Sequence, residues 1–265
     1  MRSIDGSHQA SDMSGMSDKF AISAGGREMP DIHSSTEAYA RRFAGSVGKY
    51  FLDIQADQAM SLISSCQSGR ILDVGGGHGQ LLPYLLDKGY DVTVLGSDSS
   101  CFSGLIDSRS TGRCRCVTGD IMNPPFSDDS FDVVIAFRML AHIYNWHEFI
   151  HNLCRVACKL VMVDFPTILS MNAVTPLFFS LKRKVEGNTR PYQLYSHKQI
   201  SSCFCDAGMT RINSMAQFFW PMALHRSIGC PRLSQIMEYV PRVIRLTQWF
   251  GSPVILCAAG EDSRQ

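Results

Sequence analysis

The sequence predicts an α/β domain with a doubly wound, mostly parallel β-sheet, and three observations support this prediction. Residues 71–79, ILDVGGGHG, combine a short apolar strand with a glycine-rich turn. An acid, Asp98, follows these glycines by about 20 residues, just after a second apolar segment. Residues 131–137, FDVVIAF, are almost continuously apolar, as expected of a strand that is covered on both faces.

The glycine-rich turn has the clearest chemical consequence. Gly75, Gly77 and Gly79 stand at alternate positions, where glycine permits unusual dihedral angles and a close approach of the backbone to a ligand. The amide groups of the turn and of the following helix then face the polar end of that ligand. In nucleotide-binding sheets, an acid after the second strand accepts hydrogen bonds from ribose hydroxyls, and Asp98 stands at that position.

The other elements follow in the order expected for such a sheet. The segment GQLLPYLLDKG, residues 79–89, is predicted to form the helix between the first two strands. Ser196 is the predicted N-cap of a helix that ends near Gly208. The predicted strands are residues 71–74, 90–96, 113–117, 131–137, 159–165, 209–215 and 252–259.

Four segments, taken together, resemble the class I S-adenosylmethionine-dependent methyltransferases. They are DVGGGHG at 73–79, Asp98, GDI at 119–121 and PFSDDSFDVVIAF at 125–137. The D-x-G-x-G-x-G spacing differs from the G-x-G-x-x-G of dinucleotide enzymes, so a nicotinamide enzyme is the weaker interpretation of the same architecture. The resemblance spans about Tyr39 to Ala258. It implies a Rossmann-like, seven-stranded sheet with an antiparallel last strand and helical cap insertions.

The resemblance also implies S-adenosylmethionine as the cofactor and assigns its contacts. The glycines Gly75 and Gly77 are expected beside the methionine moiety, with Asp73 near the sulfonium and the amino group. Asp98 is expected to bind the ribose hydroxyls, although an acid after a strand can also simply form a turn. The remaining predicted cofactor contacts are Ser99, Asp120 and Ile121 at the adenine, Phe137 on the methionine side, and Tyr39 at the carboxylate end.

The chain is expected to be one methyltransferase domain, residues 36–265, after a disordered leader, residues 1–35. Residues 36–68 resemble the N-terminal lid helices of small-molecule members, although an amphipathic surface helix explains them equally well. Residues 166–208 and 217–250 are predicted cap insertions over the substrate. The predicted substrate residues are Arg138, Tyr192, Tyr195 and Arg226.

The aromatic and arginine-rich segment 217–250 is open to several interpretations. It is suited to a large anionic or lipid-like substrate. Ordinary helix packing, a homodimer contact and contact with a membrane surface are the alternatives.

The chemical step is less well defined by the sequence. Methyl transfer from a sulfonium depends largely on positioning and desolvation, but an oxygen or ammonium nucleophile must also lose a proton. His142 is the candidate base, because it follows the fourth strand at the carboxyl edge of the sheet. The competing interpretation is a helix-opening histidine that is bonded to the backbone.

Two further motifs are interpreted as coincidental. His147-Glu148-Phe149-Ile150-His151 matches the zinc motif H-E-x-x-H. On a helical wheel, however, its polar residues lie opposite the apolar face, so they are expected in solvent. Residues 123–126, NPPF, resemble a signature of amino methyltransferases, but they precede the fourth strand instead of following it.

Composition narrows the remaining possibilities. The formal net charge is +1, so no nucleic-acid partner is expected. No apolar run reaches the ~18 residues of a membrane span, and no signal-peptide core is evident. A cytoplasmic location is therefore predicted. The ten cysteines contain no C-x-x-C pair, so they are expected to be reduced thiols rather than a metal site.

The resulting prediction is a methyltransferase that acts on a small molecule, with oxygen slightly favoured over nitrogen or carbon as the acceptor atom. One alternative is a non-catalytic protein that binds the cofactor as a regulator or scaffold. Another is a methyltransferase for RNA or protein. The sequence does not determine the acceptor.

Overall fold

A seven-stranded sheet lies at the centre of the computed structural model, which describes residues 28–64, 66, 69–77, 79–105, 112–171 and 193–260. The strands are β1 (Arg70–Val74), β2 (Asp91–Gly96), β3 (Cys114–Thr118), β4 (Phe131–Ala136), β5 (Ala157–Phe165), β6 (Arg211–Ala216) and β7 (Val254–Ala259). Each lies within a few residues of its predicted position.

The strand order is β3-β2-β1-β4-β5-β7-β6. Strands β1 to β5 pair in parallel, whereas β7 runs antiparallel to both of its neighbours, β5 and β6. The predicted doubly wound sheet with an antiparallel last strand is thus confirmed. The order reverses between β1 and β4, and sheets of this kind bind ligands at the carboxyl ends of the strands at such a point.

Helices cover both faces of the sheet. Before β1 lie α1 (Pro30–Ser34), α2 (Glu37–Ala40) and α3 (Gly45–Leu62), and α4 (Leu82–Asp87) follows β1. Farther along the chain lie α5 (Trp146–Val156), α6 (His197–Asp206), α7 (Met222–Ile228), α8 (Pro231–Val243) and α9 (Leu246–Phe250). In the part of the chain that the structure describes, no helix is long and apolar enough to cross a membrane.

Alternate residues of the strands enter two separate cores. Leu72 packs in a core with α5 and α6, whereas its neighbour Ile71 packs in a core with α3 and α4. Both side chains are fully buried. Burying such a side chain contributes roughly 1.5–3 kcal/mol, so the doubly covered sheet accounts for the nearly continuous apolar strands.

The N-terminal prediction needs a correction at its boundary. Residues 1–27 lie outside the described residues, but the segment 28–34, which was assigned to the disordered leader, is structured. The carboxylate of Glu28 accepts from the backbone amides of Tyr144 at 2.6 Å and Asn145 at 2.9 Å, at the start of α5. The carboxylate of Asp31 accepts from the backbone amide of Ser97 at 2.6 Å, after β2. Two buried acids thus fasten this segment across the carboxyl edge of the sheet, because each binds otherwise unpaired amides.

The insertion before β7 is helical, as predicted, and a buried carboxylate holds it together. Glu238 on α8 accepts from the backbone amides of Phe219 and Trp220, each at 3.0 Å. The same side chain lies 3.0 Å from Nε2 of His225 on α7. Phe218 packs at 5.0 Å between ring centroids against Phe51 of α3. Helix packing therefore explains the inner side of this insertion.

The helical-wheel prediction for α5 is confirmed. Phe149, Ile150 and Leu153 are fully buried, whereas His147 and His151 are exposed. Among the described residues, no group of three metal-ligating side chains is present.

The NPPF loop has a structural role that the sequence did not reveal. Arg155 of α5 donates to the carbonyls of Pro124 at 2.9 Å and Phe126 at 2.8 Å. It also donates to the side chain of Asn123 at 3.2 Å. This guanidinium thereby fixes the loop between β3 and β4.

Candidate active site

A small cleft lies at the carboxyl ends of β1 and β4, where the strand order reverses. Its walls come from α1, α2, the turn after β1 and the end of β4. The lining residues are Ser34, Tyr39, Asp73, Gly75, Gly76, Gly79, Gln80, Leu81, Phe137 and Arg138. Five of the predicted site residues, Tyr39, Asp73, Gly75, Phe137 and Arg138, therefore meet in one place.

The turn after β1 leaves room only for glycine. Gly75 has a φ of 74°, and its amide donates to the carbonyl of Leu95 at 2.8 Å. A Cβ atom at Gly75 would lie 2.5 Å from Sδ of Met139, and one at Gly76 would lie 1.9 Å from Oδ2 of Asp73. The missing side chains keep the backbone and the Asp73 carboxylate close together at the floor of the cleft.

Asp73 follows Ile71 and Leu72 in β1, and only 5% of its surface is exposed. Burial raises the pKa of Asp73 to about 6, and the nearby Arg138 guanidinium partly opposes this rise. A carboxylate that is costly to ionise in this way is suited to a cationic ligand group, because such a group would offset the cost of desolvation.

Arg138 is held in an unusual backbone conformation by a second buried acid. Its φ is 60°, and its amide donates to the carboxylate of Asp164 at the end of β5. Asp164 also accepts from Nε2 of Gln55 on α3 at 3.1 Å. Burial raises the pKa of Asp164 to about 6. The Arg138 side chain donates to Gln80, and its guanidinium lies 4.8 Å from the centre of the Phe43 ring.

Cationic side chains surround Tyr39 above the cleft. Burial raises the pKa of the Tyr39 hydroxyl, while the charges of Arg138, Arg42 and Arg226 act in the opposite direction. The Arg42 guanidinium lies 5.2 Å from the centre of the Tyr39 ring, and Nε of Arg226 donates to the carbonyl of Arg42 at 3.2 Å. The insertion before β7 therefore brings a cation from α7 to the entrance of the cleft.

The predicted nucleotide-side residues lie at the same edge of the sheet but do not line this cleft. Asp98 and Ser99 are exposed after β2. Hydrogen bonds from Ser100 lower the pKa of Asp98, so its carboxylate faces solvent in the ionised form. Asp120, after β3, accepts from the backbone amide of Met122 at 2.9 Å.

Two other predicted cofactor residues lie deeper in the fold. Gly77 is buried, and a Cβ atom there would lie 2.1 Å from the carbonyl oxygen of Cys101. Ile121 is fully buried and packs in the core with Leu95 and Val134.

Several of the predicted substrate and catalytic residues do not line the cleft. His142 lies on a 3-10 turn, Leu140–His142, close after Arg138 but outside the lining of the cleft. Tyr195 requires a correction, because only 2% of its surface is exposed and its hydroxyl donates to the carbonyl of Leu140 at 2.9 Å. It is a core residue. Tyr192 lies outside the described residues, as do residues 172–191 of the same predicted insertion.

Sequence reasoning missed Ser34, Gln80 and Asp164. Ser34 was assigned to the leader, and Gln80 was treated only as part of a helix. Asp164 did offer a signal, since a carboxylate inside the apolar strand KLVMVDF is expensive to bury without a function. Pairing that acid with Arg138, however, required the register of β4 and β5.

A sheet of this order, with a glycine-rich turn after β1 and a ligand cleft at its reversal point, is that of the class I S-adenosylmethionine-dependent methyltransferases. Residues 72–159 match a family model described as a methyltransferase domain. This match covers the segment from β1 to the start of β5, which includes the glycine-rich turn and the end of β4.

Solved structures share the fold at low sequence identity. Magnesium protoporphyrin IX methyltransferase from Synechocystis PCC 6803, with bound S-adenosylhomocysteine, is 14% identical with a TM-score of 0.56, over 85% of this chain and 93% of that one. Phosphoethanolamine N-methyltransferase 2 of Haemonchus contortus is 13% identical with a TM-score of 0.55, over 77% of this chain and 52% of that one. The cyclase SpnF is 17% identical with a TM-score of 0.54, over 78% of this chain and 79% of that one.

Proposed function

We propose that this chain transfers the methyl group of S-adenosylmethionine to a small-molecule acceptor and releases S-adenosylhomocysteine. The observation that carries the proposal is the buried Asp73 carboxylate at the glycine-rich turn, facing Tyr39, Phe137 and Arg138 across one cleft. When bound, S-adenosylmethionine supplies a methyl group on a positively charged sulfur.

The cleft suits the methionine part of this cofactor. The Asp73 carboxylate would attract its ammonium and sulfonium groups, because opposite charges interact strongly where water is excluded. The glycines at 75 and 76 leave no side chain between the turn and the side chains of Met139 and Asp73, so the backbone of the turn stays beside the Asp73 carboxylate. The ionised Asp98, at the adjacent edge of the sheet, would accept hydrogen bonds from the ribose hydroxyls.

The acceptor that fits best carries an acidic group. Arg42, Arg138 and Arg226 gather around Tyr39 at the cleft, and guanidinium groups bind carboxylates and phosphates through paired hydrogen bonds. The ring of Phe43 lies against the Arg138 guanidinium and provides apolar surface for the body of the acceptor, whereas Phe51, beside Arg226, is buried in the core. A large, anionic or lipid-like small molecule is therefore the proposed acceptor class.

The chemistry is an in-line displacement. A lone pair of the acceptor atom, with oxygen favoured, forms the new bond to the methyl carbon, and the electrons of the broken carbon–sulfur bond stay on sulfur. The proton of a hydroxyl acceptor must then leave, and His142 is proposed as its acceptor because its turn follows directly after Arg138. Tyr39 and Phe137 would exclude water and hold the two reactants in line.

Calorimetric titration with S-adenosylmethionine, S-adenosylhomocysteine and NADH tests the cofactor. We expect micromolar binding of the two sulfur compounds and none of NADH. Asp98→Ala should weaken that binding at least about tenfold, because it removes charge-assisted hydrogen bonds to the ribose. Asp91→Ala is the matched control, since Asp91 is exposed at the opposite end of β2. Unchanged affinity in Asp98→Ala would remove the ribose assignment.

Turnover distinguishes an enzyme from a protein that only binds the cofactor. Hydroxylated carboxylates and phosphates should be methylated when they are screened with S-adenosylmethionine, and Arg138→Gln should raise the KM for such acceptors. Cofactor binding without methylation of any acidic acceptor would favour the regulatory alternative. Full activity of His142→Ala at saturating acceptor would eliminate His142 as the base.

A further inference from the structure

Helices α8 and α9 present apolar side chains to solvent on their outer face, which we call the outer α8–α9 face. Large hydrophobic residues are normally covered, and a contiguous exposed group of them marks an interaction surface. The exposed fractions are Leu233 51%, Ile236 66%, Tyr239 67%, Val240 59%, Val243 62%, Ile244 59%, Trp249 71% and Phe250 43%.

The spacing of these residues along α8 makes them one continuous stripe. Leu233, Ile236, Val240 and Val243 recur at intervals of three and four, so they stand above one another on the helix. The opposite side of α8 carries the buried Ser234, Glu238 and Pro241, which pack into the domain. The helix is thus anchored by one face and leaves the other uncovered.

The charges beside this stripe have one sign. Arg232, Arg242 and Arg245 are exposed, although the Arg242 guanidinium also donates to the carbonyl of Gln217 at 2.9 Å. No carboxylate of the described residues is in salt-bridge range of these three arginines. The one acid of residues 217–250 is Glu238, which is only 1% exposed because it binds amides inside the insertion. The outer α8–α9 face is therefore apolar in its middle and positive around it.

We propose that the outer α8–α9 face docks on an anionic lipid bilayer. An amphipathic helix with apolar and aromatic side chains on one side and arginines beside them lies in the interface of a membrane, with its apolar side among the acyl chains. Exposed Trp249 and Tyr239 suit the headgroup level, where amphipathic aromatic rings are enriched. The arginines are attracted by anionic headgroups.

A second copy of the chain fits this surface less well. A two-fold contact through the stripe would bring the same arginines of both copies to one interface, with no exposed acid on the segment to pair with them. The membrane supplies the missing negative charge instead, which is why charge complementarity favours lipid as the occupant.

Helix α7 connects the outer α8–α9 face to the residues around the cleft. Helix α7, which directly precedes α8, carries Arg226, and that side chain bonds to the Arg42 carbonyl at the mouth of the cleft. A domain docked through α8 and α9 would bring the insertion that carries Arg226 to the lipid surface, where a lipid-like acceptor is concentrated. Docking itself does not depend on the proposed methyl transfer, so the two can be tested separately.

Vesicle flotation of the full chain tests the proposal. We expect the protein to float with vesicles of equimolar phosphatidylcholine and phosphatidylglycerol, and to float much less with phosphatidylcholine alone or at high salt. The double variant Ile236→Asp with Val240→Asp should lower binding at least about tenfold, because it places charge in the apolar stripe. Arg232→Gln with Arg245→Gln should lower binding to the anionic vesicles alone.

Gln235→Asp is the matched control, since Gln235 is exposed on α8 and is not one of the four residues of the stripe. It should bind vesicles nearly as wild type does. Light scattering after gel filtration gives the oligomeric state of every variant, and circular dichroism confirms that each is folded. A wild-type protein that ignores anionic vesicles overturns the proposal. So does a wild-type dimer that the stripe variant converts to a monomer without any vesicle binding.

Discussion

Asp164 stabilises the backbone conformation of Arg138 at the cleft. A non-glycine residue with a φ of 60° is disfavoured by roughly 1–2 kcal/mol, so a compensating contact is needed. The hydrogen bond from the Arg138 amide to the Asp164 carboxylate supplies that contact, and Gln55 of α3 holds the carboxylate in place. Asp164 is thus a positioning residue whose effect on ligands acts through Arg138.

Two substitutions of Asp164 distinguish its role as a hydrogen-bond acceptor from the effect of its negative charge. Asp164→Ala should weaken S-adenosylhomocysteine binding about tenfold and lower the free energy of unfolding by about 1–3 kcal/mol, because two buried donors lose their acceptor. Asp164→Asn keeps an acceptor oxygen of the same shape, so its affinity should stay near that of wild type. Calorimetric titration and urea unfolding at pH 7 measure both quantities.

Asp132 provides the control for this comparison. Its carboxylate accepts from the backbone amide of Arg70 at 2.9 Å, which is the same kind of bond at the other end of the sheet. Asp132→Ala should destabilise the protein without changing its affinity for S-adenosylhomocysteine. Equal losses of affinity in Asp164→Ala and Asp164→Asn would show that negative charge, rather than the position of Arg138, matters.

At the scale of elements, the insertion before β7 depends on one buried acid. Glu238 binds two backbone amides and the His225 ring, so Glu238→Ala would leave several buried polar groups without a partner. We expect a loss of about 3–5 kcal/mol in the free energy of unfolding, as for other buried pairs that lose one member. Glu238→Gln should cost less, because one oxygen remains. Urea unfolding followed by circular dichroism measures the difference.

The comparison needs a residue of the same helix that makes no such bonds. Gln235 is exposed on α8, so Gln235→Ala should change the free energy of unfolding by no more than about 0.5 kcal/mol. A Glu238→Ala protein as stable as Gln235→Ala would mean that α7 and α8 are held by their apolar contacts alone.

Elements with strong local patterns were predictable, and elements fixed by distant contacts were not. Strands β1, β2, β4, β5 and β7 have their own apolar runs, and the N-cap at Ser196 was predictable from neighbouring residues. The segment 28–34 is polar, and its order comes from amides of residues 97, 144 and 145, far along the chain. Tyr195 was misassigned because an aromatic residue in a loop has the same local pattern whether it is buried or exposed.

The candidate site likewise contains residues that local sequence predicts and residues that only distant contacts bring together. Asp73, Gly75, Phe137 and Arg138 follow from the ends of two predicted strands, because parallel strands bring their carboxyl ends to one edge. The link from Asp164 to Arg138 depends on strand register. The group of arginines around Tyr39 depends on α7 reaching the cleft from near the end of the chain, and no sequence spacing encodes that meeting.

At the scale of the whole molecule, the fold does not determine which reaction the protein carries out. The same architecture is shared by proteins described as methyltransferases and by one described as a cyclase. The sheet therefore supplies an edge and a reversal point, while the residues placed there decide the reaction. In this chain the edge carries two buried acids, Asp73 and Asp164, on neighbouring sides of one arginine.

These two acids couple the stability of the whole domain to pH. Each has a pKa of about 6 in the folded protein, because burial disfavours the charged form, against 3.8 for an unperturbed aspartate. Between those pH values the folded state holds more protons than the unfolded state, so the free energy of unfolding falls as pH rises from about 4 to about 6.

Asp73→Asn removes one of the titrating groups. It should leave stability near pH 4 almost unchanged and raise it at pH 8 by up to about 3 kcal/mol. Urea unfolding of wild type and variant across this range measures the difference. Saturating S-adenosylmethionine should reverse the order at pH 8, because its positive charge stabilises the ionised Asp73 that the variant lacks. A difference between the two proteins that stays constant with pH would show that Asp73 is ionised at no cost, and that the cleft has another means of attracting a cation.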